Sequence, residues 1–160
     1  MTTTTRPPRT SSVPAIIPMA NGLVRRLIGA GMPFGPNVLM TVFGRSSGRP
    51  HTFPVALIEL DGGRRYVQSP FGEVNWVKNL RVAGAATVTK GRSREEVVAI
   101  ELDDATATTV LHDALMPYLR SRLTRSIAQR YFHIRANSTP AEWAALAVGH
   151  PTFELRCPGA

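Results

Sequence analysis

Cysteine is all but missing from this chain: Cys157 is the one thiol in 160 residues. That excludes an internal disulfide framework and fits a reducing cytoplasm, the expected location. Lysine is scarce as well, with only Lys78 and Lys90 among 19 basic residues. No Asp or Glu precedes Glu59, so the first third of the chain carries positive charge alone. Apolar runs never approach the ~20 residues that span a bilayer. The start lacks the apolar core and small-residue cleavage pattern of a secretory signal. His51, His112, His133 and His150 are scattered, with no spacing that makes a ligand pair on one element, so no metal is expected. No paired carboxylates or nucleophile–base constellation stand out either.

What is present is arginine. Arg6, Arg9, Arg25, Arg26, Arg45 and Arg49 all lie in the acid-free segment, and the net charge is +8. Forked, planar guanidinium donors suit phosphates and carboxylates, so the partner is expected to be anionic. Charge alone does not choose between nucleic acid, an acidic lipid surface and a polyanionic cofactor. Hydrophobic residues at 43% and charged residues at 19% indicate one soluble globular domain.

Residues 1–14, rich in Thr, Ser, Pro and Arg, read as a disordered tail, and 15–160 as a single domain. Ile16, Ile17, Met19, Leu23, Val24, Leu27 and Ile28 recur at near-helical spacing beside Arg25 and Arg26. This predicts an N-terminal amphipathic helix that packs on its own domain or touches a membrane surface. Strands are predicted over 38–43, 52–60, 64–69, 85–90, 93–102 and 152–157, with Asp61–Gly63 as a hairpin turn. Pro54 inside a strand implies an edge, a bulge or a bend near a ligand. Helices are predicted over 73–84, 104–120 and 139–149, the last opened by Thr139, Pro140 and Glu142 as a capping box. Hairpin-linked strands with inserted helices point to an antiparallel barrel of the α+β class. The basic run Arg120, Arg122, Arg125, Arg130 and Arg135 reads as a solvated helix face.

The stretch TVFGRSSGRPHTFPVALI, Thr41 to Ile58, sets a small, basic link between two strands. Its glycines and serines let backbone approach a ligand, and its arginines hold anions. A plain hairpin with solvated arginines is the competing reading.

Three segments in order, GRSSGRPHTFPV, DGGRRYVQSPFG and NWVKNLR, resemble the deazaflavin (F420)-dependent nitroreductase and F420H2-dependent quinone reductase family. The likeness runs from about Val38 to Leu102 through Gly44, Arg45, Ser47, Gly48 and Pro50, then Ser69, then Trp76, Asn79, Leu80 and Arg81. It implies an FMN-binding-like split β-barrel with flanking helices. It also implies hydride transfer from reduced coenzyme F420 to a quinone, nitroaromatic or other conjugated small-molecule acceptor. By matched position, the cofactor meets Arg45, Ser46 and Ser47, then His51, Thr52, Phe53, Pro54, Val55 and Ala56. Val67, Gln68, Ser69 and Pro70 are expected at its ring, and Asn75, Trp76, Val77, Lys78 and Asn79 from the helix. Tyr118 and Tyr131 are the candidates for meeting the acceptor, with Tyr131 the catalytic one.

The chain departs from many relatives with Ser46 where they carry lysine and His51 where they carry arginine. Arg49, with Arg45 and Arg81, is expected to make up the missing charge. Because the cofactor performs the difficult chemistry, such an enzyme needs little acid–base apparatus of its own. Two other classes stand beside this one. A non-catalytic split barrel would bind FMN or another flavin, deazaflavin, haem or lipid. A nucleic-acid binder is set aside for want of a motif or of strand aromatics to stack bases. A homodimer is expected because split barrels commonly pair.

Overall fold

Period-two alternation builds the barrel. In β1 (Asn37–Phe43), Val38, Met40 and Val42 point inward and are wholly buried. In β2 (Pro50–Leu60) the inward row is His51, Phe53, Val55 and Leu57, which passes from the barrel mouth into the core. The structure is a computed structural model that describes residues 37–159, the side chains of Ile127 and Tyr131 apart. The expected tail and amphipathic helix lie outside the described residues.

Four further strands complete the sheet: β3 (Arg64–Gln68), β4 (Ala85–Lys90), β5 (Ser93–Glu101) and β6 (Thr152–Arg156). All pairings are antiparallel, and the order β1-β2-β3-β6-β5-β4 closes on itself. Closure removes exposed edges, the usual liability of a sheet. The hairpin between β2 and β3 turns at Asp61–Gly63, where Gly62 and Gly63 take φ of +83° and +75°. Pro54 lies opposite Leu39 of β1, while β3 reaches β2 only from Leu57 to Leu60. The N–H that proline lacks therefore falls where β2 has one paired neighbour rather than two.

Between β3 and β4 runs α1 (Asn75–Ala83), which starts two residues later than predicted because Val74 is still extended. It stops at Gly84, whose left-handed φ of +64° lets its N–H reach the Leu80 carbonyl. Between β5 and β6 come α2 (Asp104–Arg120), α3 (Arg125–Phe132) and α4 (Pro140–Gly149). Asp103 caps α2 through the Thr106 N–H, and the Thr139–Glu142 capping box opens α4 as expected. The basic run spans α2, α3 and the links beside them, with Arg120, Arg122, Arg125, Arg130 and Arg135 all exposed.

Two apolar cores result. One fills the barrel with Met40, Val67, Val77, Leu80 and Phe153; the other holds the helices together through Leu111, Leu119, Ile134 and Trp143. Each fully buried large side chain contributes roughly 1.5–3 kcal/mol relative to exposure. The architecture is the antiparallel α+β barrel with flanking helices expected from the sequence.

Candidate functional site

The link between β1 and β2 folds on itself. Gly44 donates its N–H to the Arg49 carbonyl and accepts from Gly48 N–H, both at 2.8 Å. Arg49 N–H donates to Ser47 Oγ at 3.2 Å, and Gly48 takes φ of +63°. A methyl group on Gly44 would sit 2.5 Å from Ser47 Oγ and 2.8 Å from His51 Nε2. Glycine is therefore what lets the serine and the imidazole close over this backbone.

Opposite the link stands α1. Asn79, only 8% exposed, turns its Oδ1 toward Arg45 and accepts from the guanidinium Nη1 at 2.7 Å and from the backbone N–H at 3.3 Å. Trp76 stacks on Phe53 at 5.5 Å between ring centroids and leans on buried Phe153 at 6.2 Å. These rings sit on the barrel core and floor a groove of about 740 Å³. Its walls are Gly44 to Ser47, His51, Phe53, Glu73 to Trp76, and Asn79. Val74 at the N-cap of α1 makes no side-chain cap bond, the first turn carries no acid, and Val74, Asn75 and Trp76 line the same space. A helix start in this condition favours an anion.

Charge around the groove is unevenly matched. Arg81 donates to both oxygens of Glu73 at 2.9 and 3.0 Å and to both of Glu101 at 2.6 Å. Those bonds, to Glu101 first and then to Glu73, raise its pKa further above the ordinary arginine value. Arg65 pairs with Glu95, Lys90 with Glu59 and Arg156 with Glu154. Arg45 and Arg49 are exposed, and among the described residues neither meets a carboxylate.

The structure brings Arg45, Ser46, Ser47, His51, Phe53, Asn75, Trp76 and Asn79 to one groove. It does not bring the others there. Thr52, Pro54 and Ala56 alternate onto the opposite face of β2, where Thr52 Oγ1 lies 2.7 Å from Thr41 Oγ1. Val55, Val67 and Val77 belong to the barrel core. Gln68 and Ser69 are buried and build the turn leading toward α1: Gln68 Nε2 donates to the Ser69 carbonyl, and Ser69 Oγ to that of Gly72. Pro70 is half-buried in that turn, and Lys78 is exposed on α1. Arg81, grouped by sequence with the anion grip, is committed to its two carboxylates instead. Tyr131 falls on α3, but its side chain lies outside the described residues.

Sequence reasoning passed over Glu73 and Val74 as groove residues. Gly44 lines the groove as part of the link read as ligand-facing, where a glycine ending a β-rich run marks a close backbone approach. Glu73 gave no signal, because the Arg81 guanidinium that it shares with Glu101 bridges separate elements.

A family model described as F420H(2)-dependent quinone reductase matches residues 20–120. No curated protein matches the sequence. Among solved structures, the protein Atu2129 of unknown function from Agrobacterium tumefaciens str. C58 is similar at 13% identity, covering 95% of this chain and 60% of that one, with a TM-score of 0.54. A structure described as a domain-swapped dimer is 16% identical over 89% of this chain and 100% of its own, with a TM-score of 0.50. An F420-H2 dependent reductase, FDR-A, is 17% identical over 76% of this chain and 95% of its own, with a TM-score of 0.48. At these identities the first two share the fold.

Proposed function

Because the chain belongs to the F420H(2)-dependent quinone reductase family, an F420-dependent group of oxidoreductases, we propose that its groove beside Trp76 holds coenzyme F420 and that a quinone is the acceptor. One observation carries the placement: the Arg45 guanidinium, held by Asn79 and lacking a carboxylate partner, stands at the edge of an aromatic-floored groove. An anionic tail and a flat conjugated ring need such a pair of surfaces. The volume of about 740 Å³ lies within the range of small-molecule clefts.

The residues present fit the group. Arg45, the small Ser46 and Ser47, and the uncapped start of α1 offer donors to phosphate and carboxylate oxygens. Charge-assisted bonds of this kind are each worth ~1.5–3 kcal/mol where water is excluded. Phe53 and Trp76 supply a rigid apolar surface for the tricyclic ring, backed by Phe153 so that it does not yield. When bound, the reduced deazaflavin supplies the hydride. The protein's share is to orient the ring against the acceptor and to keep one face of it from water. Val74 extends the apolar lining, which favours a flat, sparingly polar acceptor over a charged one.

Arg45→Ala is expected to weaken F420 binding at least tenfold in a fluorescence titration while the melting temperature holds. An unchanged dissociation constant removes Arg45 from the grip. Turnover of menadione by the F420H2-loaded protein, with wild-type binding in hand, tests the acceptor class. Binding without turnover would rule out quinone reduction.

A further inference from the structure

Four of the described basic side chains, Arg65, Arg81, Lys90 and Arg156, are bonded to carboxylates, whereas Arg45 is bonded to an amide. Each of the four meets Glu, and its charge is cancelled in place. Arg45 donates twice to Asn79 Oδ1, once through Nη1 at 2.7 Å and once through its backbone N–H at 3.3 Å. Both of these groups are donors, so the oxygen of Asn79 and not its NH2 must face them. The two bonds fix the start of the link and the head of its first arginine together. Asn79 can serve as this anchor because it is nearly buried on α1, one turn after Trp76, with its backbone held in a helix that closes on the barrel core. An aspartate has the same shape and would make stronger bonds to a guanidinium. It would also neutralise the cation. No acid precedes Glu59 in the sequence, so the residues before the link cannot supply a neutralising side chain either.

We propose that Asn79 is a positioning residue, an uncharged clamp that orients the Arg45 guanidinium at the groove while leaving its full charge for an anionic tail. The inference rests on the assignment of the groove to F420. It adds the reason for an amide here: orientation and charge are set independently, the first by Asn79 and the second because the groove's one carboxylate, Glu73, is bonded to Arg81 and no carboxylate among the described residues is bonded to Arg45. A free arginine loses rotamer entropy when it binds, and a clamped one has lost it already. The clamp therefore acts on affinity for the tail and not on stacking of the ring.

The test compares wild type with Asn79→Asp and Asn79→Ala in titrations with F420 and with the same deazaflavin chromophore lacking its phosphate-bearing tail. Each titration is run at several salt concentrations, with thermal melts alongside. Asn79→Asp should keep or raise the melting temperature, weaken F420 at least tenfold and flatten the salt dependence of binding, since one cation is cancelled. Asn79→Ala should weaken F420 by about two- to tenfold through lost orientation and retain the wild-type salt dependence. Both should weaken the tail-less chromophore less than they weaken F420. Wild-type F420 affinity in Asn79→Asp overturns the clamp, and so does an equal loss for both ligands, which would mean general damage. If wild type itself binds no F420, the groove assignment falls and the clamp falls with it.

Discussion

At the scale of single residues, the groove depends on what is small. Gly44 has Ser47 Oγ and His51 Nε2 where its first side-chain carbon would stand, at 2.5 and 2.8 Å. Gly44→Ala must push at least one of them aside and break the turn bond from Arg49 N–H to Ser47 Oγ. Both displaced groups are side-chain ends, so the cost belongs at the low end of overpacking, about 1 kcal/mol. The variant is expected to melt a few degrees lower and to bind F420 more weakly, because Ser47 and His51 are walls of the groove. A wild-type melt with wild-type affinity would show that neither group is fixed by this packing. The glycine, the arginine and the serines were legible as a ligand-facing link from their types and order. That Asn79 would answer Arg45 across 34 positions was not, since such a bond exists only after α1 docks.

At the scale of elements, strands are tied across their neighbours by a few charged pairs. Arg65 on β3 and Glu95 on β5 reach over β6 in a forked contact at 2.6 and 2.8 Å, with the Cys157 thiol donating to Glu95 at 3.3 Å. The Arg65 bond holds the Glu95 carboxyl down from 4.5 to about 2, with the thiol adding to it and partial desolvation opposing it. A carboxyl that is more acidic folded than unfolded favours the fold above its unfolded pKa and loses that contribution as acid protonates it. Stability should therefore fall as pH drops from 4.5 toward 2, and Glu95→Gln should flatten that part of a melt-versus-pH curve. The pair is partly solvated, so the effect is modest. An identical acid limb in both proteins would discount the pair. The strands and the helices α1, α2 and α4 followed closely from alternation, turn glycines and the capping box at Thr139, whereas α3 was not among the predicted helices. The ionic ties did not follow, because strand order is needed to know which charges face each other.

At the scale of the molecule, the barrel and the helical cluster are separate cores, and the groove belongs to the first. Arg81 joins the segment before α1 through Glu73, the end of α1 through its own backbone, and β5 through Glu101. It thereby holds the groove wall against the barrel. Arg81→Met is expected to lower both the melting temperature and F420 affinity. Thr139→Ala, which removes the α4 cap in the other core, should cost about 1 kcal/mol and leave affinity unchanged. Parallel titrations and melts of the two variants decide this. If Thr139→Ala weakens binding as much as Arg81→Met, the two cores are not independent.

Sequence by itself determined the parts that local rules govern: the alternating strands, the glycine turns, the capped helices, and an acid-free, arginine-rich link suited to anions. Each follows from the conformational preferences of neighbouring residues or from charge counted along the chain. Only the tertiary structure decided which of those residues share a space. Alternation turned Thr52, Pro54 and Ala56 away from the groove, barrel closure enclosed Val67 and Val77, and folding brought carboxylates to Arg81 while giving Arg45 an amide. Such choices depend on long-range register and docking, since a side chain's partner is set by which elements meet and not by its place in the chain.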